Sequence, residues 1–313
     1  MPDHKQDQEQ QQDLDHDHDL DLDLDLDQDQ DQDQGQGQRR APRRGWAAQT
    51  GVFLAVAFLA AGLFGALQPA TGIPPEVLQL TQFGPALAVA AVALLWPGRI
   101  RDRLTGTLPA RSNGPADHEA RPSSGSRAAL LLTAALITAL SAGGALLTSG
   151  SLPVTSPRAL AHPLTLLVTA QLVGACAEEI GWRCYLQPLL RTRFGPVTAS
   201  VLVGTAWGLW HVPALTQGPA FAAGFLTATL AMSVILGLAL ERVRSNRLLL
   251  AGGFHTLVNL GMLFVTDETS PATAPMVVFG GACLAAALPW IASARRAAAT
   301  PDKITAATAN GPR

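Results

Sequence analysis

From residue 46 onward, apolar stretches alternate with short polar connections that are rich in arginine. The stretches fall at about 46–67, 77–96, 128–148, 163–184, 197–215, 220–240, 247–266 and 274–292, and each approaches the roughly 17–25 residues needed to cross a bilayer as a helix. The fifth, sixth and seventh carry polar interruptions but keep helical length. In hydrocarbon a chain must satisfy its own backbone polar groups, so these spans are expected to be helices. The pattern predicts an all-α, polytopic membrane protein of about eight transmembrane helices enclosing an intramembrane site.

Upstream the pattern is different. Residues 19–38 read DLDLDLDLDQDQDQDQGQGQ. The Asp/Leu alternation imitates a strand, but its charge density forbids a packed core, and a disordered tail is predicted. His16 and His18 lie among aspartates there and read as incidental rather than as metal ligands. The acidic start is unlike a signal peptide. The expected division is an acidic tail with a basic juxtamembrane end over 1–44, N-terminal transmembrane helices over 45–160, a second transmembrane core over 161–295, and a cytoplasmic tail over 296–313.

Charge orients the spans. RRAPRR precedes the first, and Arg99, Arg101, Arg103, Arg111, Arg121 and Arg127 lie between the second and third. Arg191 and Arg193 follow the fourth; Arg242, Arg244 and Arg247 follow the sixth; Arg295, Arg296 and Lys303 follow the eighth. The alternate connections hold Arg158, Asp267 and Glu268. This asymmetry matches the positive-inside rule with both termini cytoplasmic, in a multi-pass protein of the cell membrane. The tail's acidity hides it in the net charge of -2: residues 1–38 contain thirteen Asp, one Glu and one Lys. The tail is expected to act as a solubilising appendage or to screen the basic face.

Composition supports the same class. The chain of 313 residues is 48% hydrophobic and 15% charged, against about 25% charged in soluble domains. Cys176, Cys184 and Cys283 form no CxxC pair and read as small apolar residues on helices. Membrane lipids are the expected surroundings, and nucleic acid is not an expected partner.

A few polar residues remain inside the spans. Outside the tail and the connections, the acidic residues are Glu178 and Glu179, and the histidines are His211 and His255. Arg183 and Asn259 complete the set. Glu178 lies about 18 Å from the helix end near Leu190, and His211 about 21 Å into its span. The set is thus expected to meet within the bilayer, toward the cytoplasmic face. Glu179 and Arg183 are i,i+4 and share a face, while Glu178 points about 100° away. His255 and Asn259 repeat that spacing, as do Trp207 and His211.

An ion pair with interhelical hydrogen bonds would account for any one of these residues. It leaves a second carboxylate and two histidines unexplained. Two hydrolytic arrangements suit the whole set. In one, a carboxylate and a histidine activate water while the other histidine and Asn259 donate to an oxyanion. In the other, the histidines and a glutamate hold Zn2+, with Glu178, His211 and His255 as ligands.

In order, EEIGWR, WGLWH and HTLVN resemble the EExxxR, FxxxH and HxxxN/B signatures of the CPBP (Abi) family of intramembrane proteases, which includes the CAAX prenyl-protein endopeptidases. The resemblance covers about residues 163–266. It implies that Glu178 activates water with His211, that His255 and Asn259 stabilise the oxyanion, and that Glu179 and Arg183 support them. Trp207 stands where the family has Phe. The resemblance implies either a zinc-dependent or a metal-free glutamate peptidase acting on membrane-associated, in some members prenylated, proteins. Its site is expected to be reached through a water-filled cavity open to the cytoplasm. A proton-coupled transporter, or a non-catalytic scaffold or immunity protein, are the competing classes.

Overall fold

A computed structural model describes residues 45–108, 124–152, 154–241, 243, 245–265 and 273–299. The acidic tail, the whole RRAPRR stretch, the connection around Arg111 and Arg121, Arg242, Arg244, Asp267, Glu268 and the tail after 299 lie outside the described residues. The remainder is helical, without strands among the described residues. The helices are α1 (Trp46–Thr71), α2 (Gly84–Leu95), α3 (Pro97–Arg103), α4 (Ser124–Ser149), α5 (Leu164–Gly181), α6 (Gln187–Arg191), α7 (Pro196–Trp210), α8 (Val212–Leu215), α9 (Pro219–Ala239), α10 (Arg247–Val265) and α11 (Thr273–Ala299). A π-helical segment, Trp182–Leu186, joins α5 to α6 into one run, Leu164–Arg191.

Six of these helices among the described residues are long and apolar enough to cross a membrane. The second and fifth expected spans are shorter. In the second, the helical run starts only at the 3-10 turn Leu80–Phe83, because Pro74 and Pro75 break the chain and Gln68 holds it through side-chain bonds to the backbone of Ile73, Leu78 and Leu80. The fifth ends at Trp210 rather than 215. Pro213 has no N–H to offer the Leu209 carbonyl, and His211 turns out of the helix at φ -81°, ψ 59°. Eight helical spans were expected; six reach the required length, and α2 and α7 are shorter helices between them.

Exposed leucines such as Leu59, Leu94 and Leu147 ring the bundle, as suits a surface that meets lipid. Glycines let the inner helices approach closely. A Cβ on Gly280 would lie 2.5 Å from the Gly224 carbonyl oxygen, so α9 and α11 touch through their backbones. Gly204 likewise faces Leu230 and Ser233 across α7 and α9.

The helix ends form two unlike sets. At one, Arg191 grips the Glu241 carboxylate through Nε at 2.9 and 3.0 Å, and the backbone of 246–248 bonds to that of 106–108. Arg99, Arg101, Arg127 and Arg295 belong to the same set of ends. At the other, Thr155 N–H bonds to the Phe264 carbonyl at 3.0 Å, and His162 lies 3.7 Å from Glu76.

Candidate active site

Glu178 and Glu179 sit on the last turn of α5, immediately before the π-helical segment that carries Arg183. A π turn inside an α-helix is rare and occurs often at functional sites. The adjacent carboxylates point apart, as their helical angle requires. Glu178 Oε2 accepts from Trp207 Nε1 at 2.7 Å, and its Oε1 accepts from Gln82 Nε2 at 3.1 Å. Glu179 faces Arg183, with Nε and Oε2 3.2 Å apart, and receives His255 Nδ1 at 2.9 Å. Both carboxylates and Arg183 are almost wholly buried. The guanidinium also lies over the Trp207 ring, 4.3 Å from its centroid, a favourable cation–π placement.

The histidines come from two helices. His211 caps the shortened α7, where its Nδ1 meets the Trp207 carbonyl at 2.9 Å. A carbonyl only accepts, so Nδ1 carries the proton and Nε2 of the neutral ring keeps its lone pair. His255, on α10, donates from Nδ1 to the Glu179 carboxylate by the same logic. The two rings pack edge-on to Trp207, with centroids 5.9 and 5.2 Å away. Asn259, one turn beyond His255, donates to Gln171 Oε1 at 3.0 Å and keeps a second amide hydrogen.

Glu178, His211, His255 and Asn259 all line one cavity of about 370 Å³. Glu179 and Arg183 stand behind its wall and do not line it. An apolar groove of about 530 Å³ adjoins the cavity at His211 and Gln79, between α1 and α8. The cavity reaches the surface at Pro75, Glu76 and Gln79, and its walls continue through Met262, Leu263 and Met276. These residues belong to the ends without the arginines. Toward the arginine-bearing ends the bundle is closed: Tyr185, Leu186, Val203, Ile235, Leu236 and Phe254 are packed with essentially no exposure. An opening on the arginine-bearing side was expected, and it is not met. α7 stops short at Trp210 and the second span starts late at Leu80, so the gap lies at these two ends, on the side without the arginines.

Two polar contributors are not evident from the sequence motifs. Gln82 holds Glu178 from a separate element, and Gln171 holds Asn259 from two turns before the glutamates. A glutamine in an apolar span was the available signal. The Trp-for-Phe departure matters more than its shared aromaticity suggests, because indole brings an N–H that phenyl lacks. The zinc arrangement fits less well: among the described residues no three His, Cys, Asp or Glu side chains converge as metal ligands do. Glu178 instead meets two N–H donors. The three cysteines are free thiols.

Comparison with known proteins marks the same segment. Residues 160–261 match the family model "Type II CAAX prenyl endopeptidase Rce1-like". Lysostaphin resistance protein A of Staphylococcus aureus, in strains Newman and COL, is 28% identical over 109 residues. That alignment takes in 35% of this chain and 26% of the relative, so the chain spans about a quarter of the length of the curated relatives it matches. The matched stretch runs from the start of the α5 run into α10 and contains Glu178, Glu179, Arg183, His211, His255 and Asn259. The stretch that carries these six residues is thus similar to the Rce1-like, CAAX-protease type, and it is set in an all-α polytopic membrane fold.

Proposed function

We propose that the protein is an intramembrane endopeptidase of the CAAX-protease type that hydrolyses peptide bonds of membrane-associated proteins. One observation carries this reading: a carboxylate, two imidazoles and a carboxamide from three helices line a single cavity inside a membrane bundle. Isolated polar groups in such a bundle are costly and mark function by default.

In the proposed reaction Glu178 and the free Nε2 of His211 draw a proton from water as its oxygen attacks the scissile carbonyl carbon. The carbonyl π bond opens, and the electron pair moves to oxygen. Asn259 Nδ2 donates to that oxyanion. His255 donates from Nε2 in its imidazolium form, which the Glu179 carboxylate stabilises through Nδ1. Arg183 balances the charge of Glu179. Collapse of the tetrahedral intermediate returns the proton to the leaving nitrogen, giving a free acid and an amine. No step requires a metal, and no acyl-enzyme forms. The apolar groove beside His211 would receive an apolar side chain or a prenyl group near the scissile bond.

The test is proteolysis by the purified protein in liposomes, offered a prenylated CAAX peptide and a library of membrane-associated peptides. Wild type should cleave with or without a chelator, while Glu178→Gln and His211→Ala should each fall by at least about 10²-fold, as expected for loss of a general base. Cleavage that both variants retain would remove the proposal. Cleavage abolished by the chelator would return the zinc arrangement.

A further inference from the structure

We infer that the cavity opens to the extracytoplasmic side of the membrane, so that its substrates are exported or outward-facing segments. Two independent asymmetries coincide. The first is charge. Arg99, Arg101, Arg127, Arg191, Arg247 and Arg295 lie at or next to one set of helix ends, whereas the other set has Arg158 as its described arginine. Short arginine-rich connections stay on the cytoplasmic side.

The second asymmetry is packing. The cavity runs from mid-bundle, where Glu178, Met232 and His255 line it, to the arginine-poor ends, where the first turns of α5 and α11, the start of α9, the last turns of α7 and α10 and the chain just before α2 form its walls. Below Glu178, on the arginine side, the path is blocked by the Tyr185–Leu186 turn, Val203, Ile235 and Phe254, none more than 1% exposed. A peptide in extended form cannot pass such a floor, because close-packed cores leave few voids larger than water. The floor is also fastened, by the Arg191–Glu241 pair and by the bonds from 246–248 to 106–108. A scissile bond therefore reaches Glu178 from the mouth at Pro75, Glu76 and Gln79.

The mouth also states what enters. Met262, Leu263 and Met276 give it apolar sides, and the one carboxylate on its wall besides Glu178 is Glu76. That chemistry suits an apolar stretch of peptide lying in or against the outer leaflet. It does not suit a strongly acidic segment, which Glu76 would repel. The substrate half of this inference rests on the hydrolytic reading of the site; the orientation half does not.

The two halves separate experimentally. Glu76→Cys and Arg295→Cys would be placed singly in the full chain, expressed in bacteria and exposed to a membrane-impermeant maleimide. Both variants and the blank carry Cys176→Ala, because Cys176 is partly exposed; Cys184 and Cys283 have no exposure. Glu76→Cys should label in intact cells and Arg295→Cys only in inverted vesicles. The reverse pattern would overturn the orientation and leave the peptidase reading standing. Apolar peptides added outside spheroplasts should then be cut by wild type and not by Glu178→Gln. Equal cleavage by both, or cutting confined to inverted vesicles, would overturn the substrate assignment even with the labelling as expected.

Discussion

Around Trp207 a single side chain touches most of the site. Its indole N–H donates to Glu178, its face carries the Arg183 guanidinium, and its ring packs steeply tilted against both histidines. Trp207→Phe keeps the ring and removes the N–H. A hydrogen bond to a charged group contributes about 1.5–3 kcal/mol, so kcat should fall about tenfold or more with KM little changed; steady-state kinetics on the liposome system would read this. Arg183→Met is a different case. It leaves the Glu179 carboxylate buried without its countercharge, and breaking a buried pair typically costs about 3–5 kcal/mol. Thermal unfolding in detergent should show that loss before any assay does. The sequence already displayed Glu179 and Arg183 as partners, because i,i+4 spacing is a property of one helix. It could not display Gln82, whose bond to Glu178 joins residues 96 apart.

His211 shows how an element's length makes a site. α7 ends at Trp210, and the following turn presents the imidazole at the cavity instead of burying it in a through-going helix. Pro213 imposes that end. Pro213→Ala would let the helix continue and swing His211 away; activity should drop by at least about tenfold while the protein still folds. Rescue is not expected from added imidazole if displacement rather than absence is the cause, and comparing it with His211→Ala, where imidazole has space to bind, distinguishes the two. Close helix contacts make a second prediction. Gly280→Leu would push α11 from α9, where overpacking costs about 1–3 kcal/mol, and the melting midpoint should fall accordingly. The apolar pattern showed that both helices exist, yet glycines read as breaks in a sequence and as contact points only once two helices meet.

The whole bundle is tight at one end and open at the other. Stability in such a molecule should be graded, since sparse burial goes with easy local opening. Hydrogen exchange followed by mass spectrometry should show amides of residues 72–82 exchanging much faster than those of 183–190 and 228–239. Equal protection would mean that the mouth is as closed as the floor. By itself the sequence determined that the chain is helical and crosses a membrane several times, since hydrophobic run length and arginine bias are one-dimensional quantities. It also determined which ionisable residues lie within the spans, because a charge in hydrocarbon stands out wherever its helix packs. Only the tertiary structure decided how these residues divide the work. Glu178 faces the cavity and Glu179 backs His255, and both arrangements depend on side chains from other helices. Tertiary structure also decided which end opens: that follows from where two short helices stop relative to six long ones, a comparison between segments that no single segment contains.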